Sequence, residues 1–278
     1  MTFVVAMFFL YGIAFILSIR IKAFLSQTKV EQLFLTRTGL WGNVLSAAFG
    51  AVTPFCSCTT IPIFAGMLES QVRLGYAMSF LIASPTVNPP ALILLVLVFG
   101  WQVTAYYAVA VFVMAVLGGR LLGHRGLDGY VFDLFIMEDD YDSMEWGELI
   151  RGYFRFLKGF LGVILFAGIV ATLVNGWMPS ERTLAALTSH GALAIPVLVA
   201  AGVVIYADLM LLIPIAHSLV LKGMPEGSVL AFTMAASGLG IPTLILLSKV
   251  MHKKLILYYT AVVSLLLVGV GYFLNWLA

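Results

Sequence analysis

Two cysteines, Cys56 and Cys58, are separated by one serine and followed directly by Thr59 and Thr60. Thiolates are soft ligands that suit monovalent copper, zinc or trivalent arsenic. A disulfide between positions i and i+2 would be strained, because ordinary bridges need Cα atoms about 4.4–6.8 Å apart in specific orientations. The spacing therefore predicts a thiol or metal site, with the threonine hydroxyls as polar neighbours. The alternative is that both cysteines serve as small apolar residues.

A second polar group stands between prolines, where Ser84 and Asn88 lie within the segment Ser84–Pro90. Hydroxyl and amide groups can hydrogen-bond a polar solute, and we predict both residues as part of a binding site. The alternative for Asn88 is a helix cap beside Pro89.

Two ionisable residues lie inside apolar segments of the second half, Asp208 and His217. An ionisable side chain within a membrane span is costly and is a functional hypothesis by default. Asp208 is a candidate proton or cation carrier, and its alternative is an acid at the water interface. His217 could relay protons or simply pair with the backbone.

The composition predicts the elements that must position these residues. Of 278 residues, 62% are hydrophobic and 10% are charged, with a mean hydropathy of +1.07, whereas soluble proteins average about 25% charged residues. This excludes an ordinary soluble enzyme, a disordered tail and a nucleic-acid binder. A span needs about 20 apolar residues, and the chain has about eight such segments. We predict an all-α integral membrane protein, with no cofactor motif and no enzymatic activity.

The chain contains an internal repeat with an offset of 152 residues. At this offset Pro62 falls on Pro214, Gly75 on Gly227, Phe80 on Phe232 and Pro90 on Pro242. The first predicted span, 3–19, likewise falls on 155–171. Coincident prolines, glycines and span boundaries indicate a duplication. The predicted domains are repeat 1 (1–119), a polar connector (120–154) and repeat 2 (155–278).

The charges predict that the two repeats have opposite orientations in the membrane. The loops rich in Lys and Arg lie at opposite ends of the equivalent helices in the two copies. Cytoplasmic loops carry the excess of Lys and Arg. Placing 20–38, 69–73, 120–158 and 249–254 inside leaves only Arg182 and Lys222 outside. Both termini then face outward, and the connector is cytoplasmic. An odd number of crossings per half requires a re-entrant hairpin over 39–68, turning near Cys56, with an equivalent near Asp208. Ten short crossings are the alternative.

The interrupted segments indicate where a solute would bind. Unpaired backbone groups persist at membrane depth only where they are buried in protein or line a watery cavity. Broken helices at matching positions of an inverted repeat are the sequence sign of a transporter site. The alternative is that the prolines only kink helices for packing.

Two motifs resemble a known family. The segments Pro54–Pro62 and Ala83–Pro89 are similar to those of the predicted permeases that include the organoarsenical efflux permease ArsP and the YraQ-type permeases. The resemblance covers nearly the whole chain. It implies a multi-pass inner-membrane permease with Cys56 and Cys58 on the substrate path and Asn88 beside them. With two cysteines in the chain, a three-thiolate arsenic site cannot form in one protomer, whereas a monomethyl arsenical needs two.

These observations favour a secondary transporter in the bilayer that exports a small thiophilic solute, a trivalent arsenical or a soft metal, by alternating access. Proton coupling is part of this hypothesis. Two alternatives stay open: a membrane thiol-redox or sulfur-transfer protein, and the membrane subunit of a larger complex. The connector 120–154 is the candidate docking site for a soluble partner, and a homodimer is a further arrangement. No nucleic acid partner is expected.

Overall fold

The computed structural model describes the helical parts of both halves, and the described residues are 39–53, 57–69, 72–123, 194–204, 207, 209–221 and 223–277. The predicted spans near 3–19 and 155–178 lie outside them. So do Cys56, Asp208 and all but the first four residues of the connector 120–154.

The described elements are α-helices. In the first half they are α1 (Leu40–Val52), α2 (Ser57–Glu69), α3 (Leu74–Thr86) and α4 (Pro89–Leu122). In the second half they are α5 (Ala194–Val204), α6 (Leu209–Leu221), α7 (Glu226–Gly238), α8 (Ile241–Leu247) and α9 (Lys253–Leu277).

Three described stretches are long and apolar enough to cross a membrane, namely Pro89–Leu122, Glu226–Leu247 and Lys253–Leu277. Pro89–Leu122 and Lys253–Leu277 expose large apolar side chains such as Leu97 and Leu257, whereas Glu226–Leu247 is mostly buried inside the molecule. The predicted fold class, an all-α integral membrane protein, is confirmed.

The helix boundaries agree with the 152-residue offset. Helices α2 and α6 begin and end 152 residues apart, and so do α3 and α7. Within α4 the helix is interrupted at Gly100, whose φ of 85° and ψ of 167° are not helical. The same offset places Gly100 on His252, the residue before α9. These boundaries are consistent with the predicted repeat.

Proline chemistry explains the break between α3 and α4. Pro89 and Pro90 have no N–H to donate to the carbonyls at the end of α3, and the residue before a proline avoids helical backbone. Val87 and Asn88 are accordingly extended. In the second half the break follows Gly238, and Pro242 lies in the first turn of α8. The first break lies within the segment Ser84–Pro90, and the second lies 152 residues later, at Leu239 and Gly240.

Helices α1 and α2 run in opposite directions along α3. The Asn43 amide of α1 donates to the Gly75 carbonyl, at 3.1 Å, near the start of α3. A Cβ built on Gly50, near the end of α1, would lie 3.2 Å from the Ser84 amide nitrogen. Thr60, in the first turn of α2, contacts the same Ser84. The facing ends of α1 and α2 thus both lie beside the last turn of α3, as a re-entrant hairpin over 39–68 requires.

Contacts between the two halves are related by exchange of equivalent helices. Helix α4 packs on α6 and α8 packs on α2, while α3 packs on α7 and α4 on α9. A two-fold relation between the halves produces such reciprocal pairs.

The α4–α9 pair also shows the direction of the two helices. Late in α4, a Cβ built on Gly118 would lie 3.4 Å from Leu266. Earlier in α4, Gln102 and Tyr106 line one cavity with Leu274, which lies near the end of α9. The two equivalent helices therefore run antiparallel, which is the course that an inverted repeat requires.

Candidate functional site

The last turn of α3 and the first turn of α2 form a buried polar contact. The hydroxyl oxygens of Thr60 and Ser84 lie 3.0 Å apart, and either can donate. Both side chains have no exposed surface. The structure thus brings together two of the residues that the sequence predicts as a site, one from each of two neighbouring helices.

Cys58 and Thr59 belong to the first turn of α2, immediately before Thr60. The first N–H groups of a helix have no partner within it, and the positive end of the helix dipole is found there. The first turn of α2 therefore brings backbone N–H groups next to the buried Thr60–Ser84 contact. Cys56, the residue before α2, lies outside the described residues.

The carbonyl of Thr86, at the end of α3, has a partner that the sequence analysis did not predict. The Tyr107 hydroxyl of α4 donates to it at 2.8 Å, and Tyr107 is completely buried. The hydroxyl of Thr86 itself donates to Ile82 O at 2.6 Å. Tyr259 lies 152 residues after Tyr107 and is 1% exposed, so the repeat places a buried tyrosine at the same point of each half.

The two breaks meet inside the molecule. A Cβ built on Gly238, the last residue of α7, would lie 3.2 Å from the Thr86 methyl carbon at the end of α3. These positions are also equivalent in the repeat. The ends of two broken helices, one from each half, therefore touch.

Asn88 caps α4. Its Oδ1 accepts a hydrogen bond from the Ala91 amide at 2.8 Å, which satisfies one of the donors that a helix start leaves free. Among the two sequence interpretations, this geometry is that of the helix cap. The side chain is half-buried, so capping and a role at the break are compatible.

His217 lies two turns into α6, at the contact between α4 and α6. Its ring meets Phe99 edge-on with centroids 5.5 Å apart, and its buried Nδ1 has no hydrogen-bond partner. The sequence analysis gave pairing with the backbone as an alternative, but Nδ1 makes no such hydrogen bond. The residue at the equivalent position of the first half is Ala65, so the imidazole is confined to one of the two reciprocal contacts.

No group of three or more His, Cys, Asp or Glu that could hold a metal is found among the residues that the structure describes. The described polar residues at the breaks are instead neutral: Thr60, Ser84, Thr86, Asn88, Ser237 and Thr243. Asp208, the carboxylate expected at the second hairpin, lies outside the described ranges.

Sequence reasoning did not single out Tyr107, Phe99 or Thr243. For Tyr107 a signal was present, because the offset pairs it with another tyrosine in an apolar segment. The contact of Phe99 with His217 joins residues more than 100 positions apart, and nothing in the linear sequence indicates it.

Comparison with known families gives the molecule its class. A family model described as a predicted permease matches residues 1–128 and 133–276, nearly the entire chain. The chain belongs to this family of predicted permeases. It is accordingly a multi-pass membrane protein, and the family indicates a transporter rather than an enzyme. The resemblance inferred from the C-x-C and S-P-x-x-N-P motifs is confirmed.

Two curated relatives share parts of this permease. The UPF0718 protein YraQ of Escherichia coli (strain K12) is 35% identical over 81 residues, which are 29% of this chain and 23% of YraQ. The UPF0718 protein MJ0584 of Methanocaldococcus jannaschii is 26% identical over 107 residues, 38% of this chain and 29% of the relative. The matched segments thus span less than a third of each relative's length. No solved structure matches the chain.

Proposed function

We propose that this permease is a secondary transporter that exports a small thiophilic solute, a trivalent arsenical or a soft metal species, by alternating access. The observation that carries the proposal is the meeting of the two broken helix ends, where the Thr86 methyl lies against Gly238. Broken helices of an inverted repeat are where transporters of this kind bind their solutes.

The chemistry beside this point supports a thiophilic solute. The first turn of α2 holds Cys58, and its hydroxyl neighbour Thr60 is fixed against Ser84. Cys56 precedes this turn in the sequence. Thiolates select soft species, and two thiolates are sufficient for a monomethyl arsenical.

The reciprocal contacts supply two gates. By the predicted topology, α4 packs on α6 towards the outside, and α8 packs on α2 towards the cytoplasm. In alternating access one repeat rocks against the other around a fixed site, so one contact opens as the other closes. Asp208 would carry the coupling proton. If Asp208→Asn transported at the wild-type rate and with the wild-type pH dependence, that role would be refuted.

The test is uptake of solutes into everted membrane vesicles that contain the permease. The panel consists of methylarsenite, arsenite, zinc, monovalent copper and thiosulfate. We expect one of these to accumulate under an imposed proton gradient, because everted vesicles convert export into uptake.

The control is Cys56→Ser/Cys58→Ser, which should insert normally and accumulate nothing above empty vesicles. Equal accumulation by the control would exclude the thiols from the site. Absence of accumulation of every solute would refute the proposed substrate class and favour thiol exchange, measurable in detergent without a gradient.

A further inference from the structure

The Thr243 hydroxyl is buried and has no hydrogen-bond partner. The side chain is 2% exposed, and its Oγ1 is among the buried polar atoms without a partner. Other described threonine hydroxyls differ: those of Thr86, Thr104, Thr233 and Thr260 all donate to carbonyls of their own helices. A buried hydroxyl left unpaired lowers stability, so its retention requires a reason.

The position of Thr243 explains why its own helix does not satisfy it. It lies in the first turn of α8, which begins at Ile241, so the carbonyl four residues back is outside the helix. A threonine in a helix interior usually bonds such a carbonyl. The partner of this hydroxyl must therefore come from outside α8.

Helix α8 packs on α2, the helix that holds Cys58 and Thr60, and Thr243 lies on the buried face of α8. Thr243 is buried together with Leu246 and Leu247, three and four residues on, so these residues share one helix face. Among the described helices, α8 makes its most extensive packing with α2. The end of α8 that holds Thr243 adjoins the break, as does the end of α2 that holds Cys58 and Thr60.

The repeat shows that this hydroxyl is a difference between the halves. The position equivalent to Thr243 is Ala91, whose amide is capped by Asn88. The position equivalent to Asn88 is Gly240, which provides no side-chain cap for α8. In the first half the polar side chain, Asn88, caps its own helix. In the second half the polar side chain is Thr243, three residues after the equivalent position, and its hydroxyl has no hydrogen-bond partner.

We propose that Thr243 is a solute-contacting residue contributed by the second half, whose hydroxyl hydrogen-bonds an oxygen of the transported solute. The proposal rests on the proposed transport function. It deepens that function by naming a solute that carries an oxygen, such as a hydroxyl, next to its thiophilic atom. A bare metal ion would leave the hydroxyl without a partner.

The test compares transport and stability in three variants, with methylarsenite as the probe in everted vesicles. Thr243→Val keeps the shape of the side chain and removes the hydroxyl. We expect its KM to rise roughly two- to tenfold, the range of one hydrogen bond, with little change in maximal rate. Thr243→Ser, which restores a hydroxyl, should return KM towards the wild-type value.

The matched control is Thr104→Val. Thr104 is 5% exposed and donates to the Gly100 carbonyl at 2.8 Å, so this change removes a bonded hydroxyl away from the breaks. It should leave KM unchanged. The unfolding midpoint in detergent separates binding from structure: Thr243→Val should not unfold earlier than wild type, because no hydrogen bond is lost.

An unchanged KM in Thr243→Val, with wild-type transport intact, would overturn this inference alone and leave the proposed function standing. It would mean that the hydroxyl is merely hydrated. A lowered unfolding midpoint in Thr243→Val, restored in Thr243→Ser, would likewise overturn it in favour of a structural role. Absence of transport in the wild type refutes the proposed function and this inference with it. If Thr243→Val fails to insert, Thr243→Ala carries the same prediction.

Discussion

Tyr107 provides a hydrogen-bond donor for a carbonyl that the prolines at the first break leave without its helical partner. The Thr86 carbonyl would bond the amide of residue 90 if the helix continued, but residue 90 is a proline. The Tyr107 phenol donates to that carbonyl instead. In a membrane such a carbonyl has no water to bond, so the tyrosine stabilises the break and fixes the end of α3.

Replacing Tyr107 by phenylalanine should therefore destabilise the permease by about 1–3 kcal/mol, the cost of leaving a buried carbonyl unpaired. Unfolding by denaturant in detergent micelles, followed by circular dichroism, measures this. Tyr106→Phe is the matched control, because the neighbouring phenol is 45% exposed. Equal losses in the two variants would contradict the assigned role.

At the residue scale, the sequence indicated which side chains could take part in chemistry but not which hydrogen-bond partners they have. The types and spacing of Cys56 to Thr60 and of Ser84 predicted polar and thiol positions, and the structure brings Thr60 and Ser84 together. The sequence could not predict that the Thr243 hydroxyl lacks a hydrogen-bond partner, because this depends on which atoms of other helices lie around it in the folded structure.

At the scale of elements, small residues allow three helices to approach closely. Gly119 of α4 faces the Gly75 carbonyl, and a Cβ built on it would overlap Ser79 and Asn43. The Asn43 amide donates to both the Gly75 carbonyl and the Ser79 hydroxyl at 3.1 and 2.8 Å. This contact anchors α1 against α3 and α4.

Gly119→Ala should destabilise the permease by about 1–3 kcal/mol, as overpacking of a tight interior does. The readout is the same denaturant titration, accompanied by gel filtration for monodispersity. Gly269→Ala is the control, because a Cβ there meets nothing within 4 Å. That substitution should be neutral or stabilising by up to about 1 kcal/mol. A stable Gly119→Ala variant would show that the helices are packed less tightly than described.

The prolines made both breaks predictable, because a missing N–H has the same consequence in any helix. The non-helical backbone at Gly100 could not be predicted from the sequence, since a glycine alone does not indicate a positive φ. That Asn88 caps its helix was left open by the sequence, because capping and solute binding use the same side-chain oxygen.

At the scale of the whole molecule, the repeat offset was readable because identical residues recur at one spacing. The relative direction of the halves was inferred from charge alone. The antiparallel course of α4 and α9, deduced from Gly118 beside Leu266 and Tyr106 near Leu274, supports the same orientation by an independent route. The first predicted span of each half, 3–19 and 155–178, still rests on the sequence.

Inverted topology predicts that Trp101 and Lys253, which are equivalent in the repeat and exposed, lie on opposite sides of the membrane. In a Cys56→Ser/Cys58→Ser background, Trp101→Cys should react with an impermeant maleimide in right-side-out vesicles. Lys253→Cys should react in everted vesicles. Labelling of both from one side would refute the inversion.

The most direct test of the central claim, one site reached alternately from two sides, is the reactivity of Cys58 towards a charged maleimide. The test is made in a Cys56→Ser background. Phe99→His would place a second imidazole opposite His217, whose ring is 5.5 Å from that of Phe99, so that nickel can bridge α4 and α6. Phe99→His/His217→Ala, which lacks the second ligand, is the control.

Alternating access predicts that Cys58 reacts from both sides without nickel. With nickel, labelling from outside should stop while labelling from the cytoplasmic side persists, and the control should stay reactive from both. Continued labelling from outside in the bridged variant, or reactivity from one side only under all conditions, would contradict alternating access at this site.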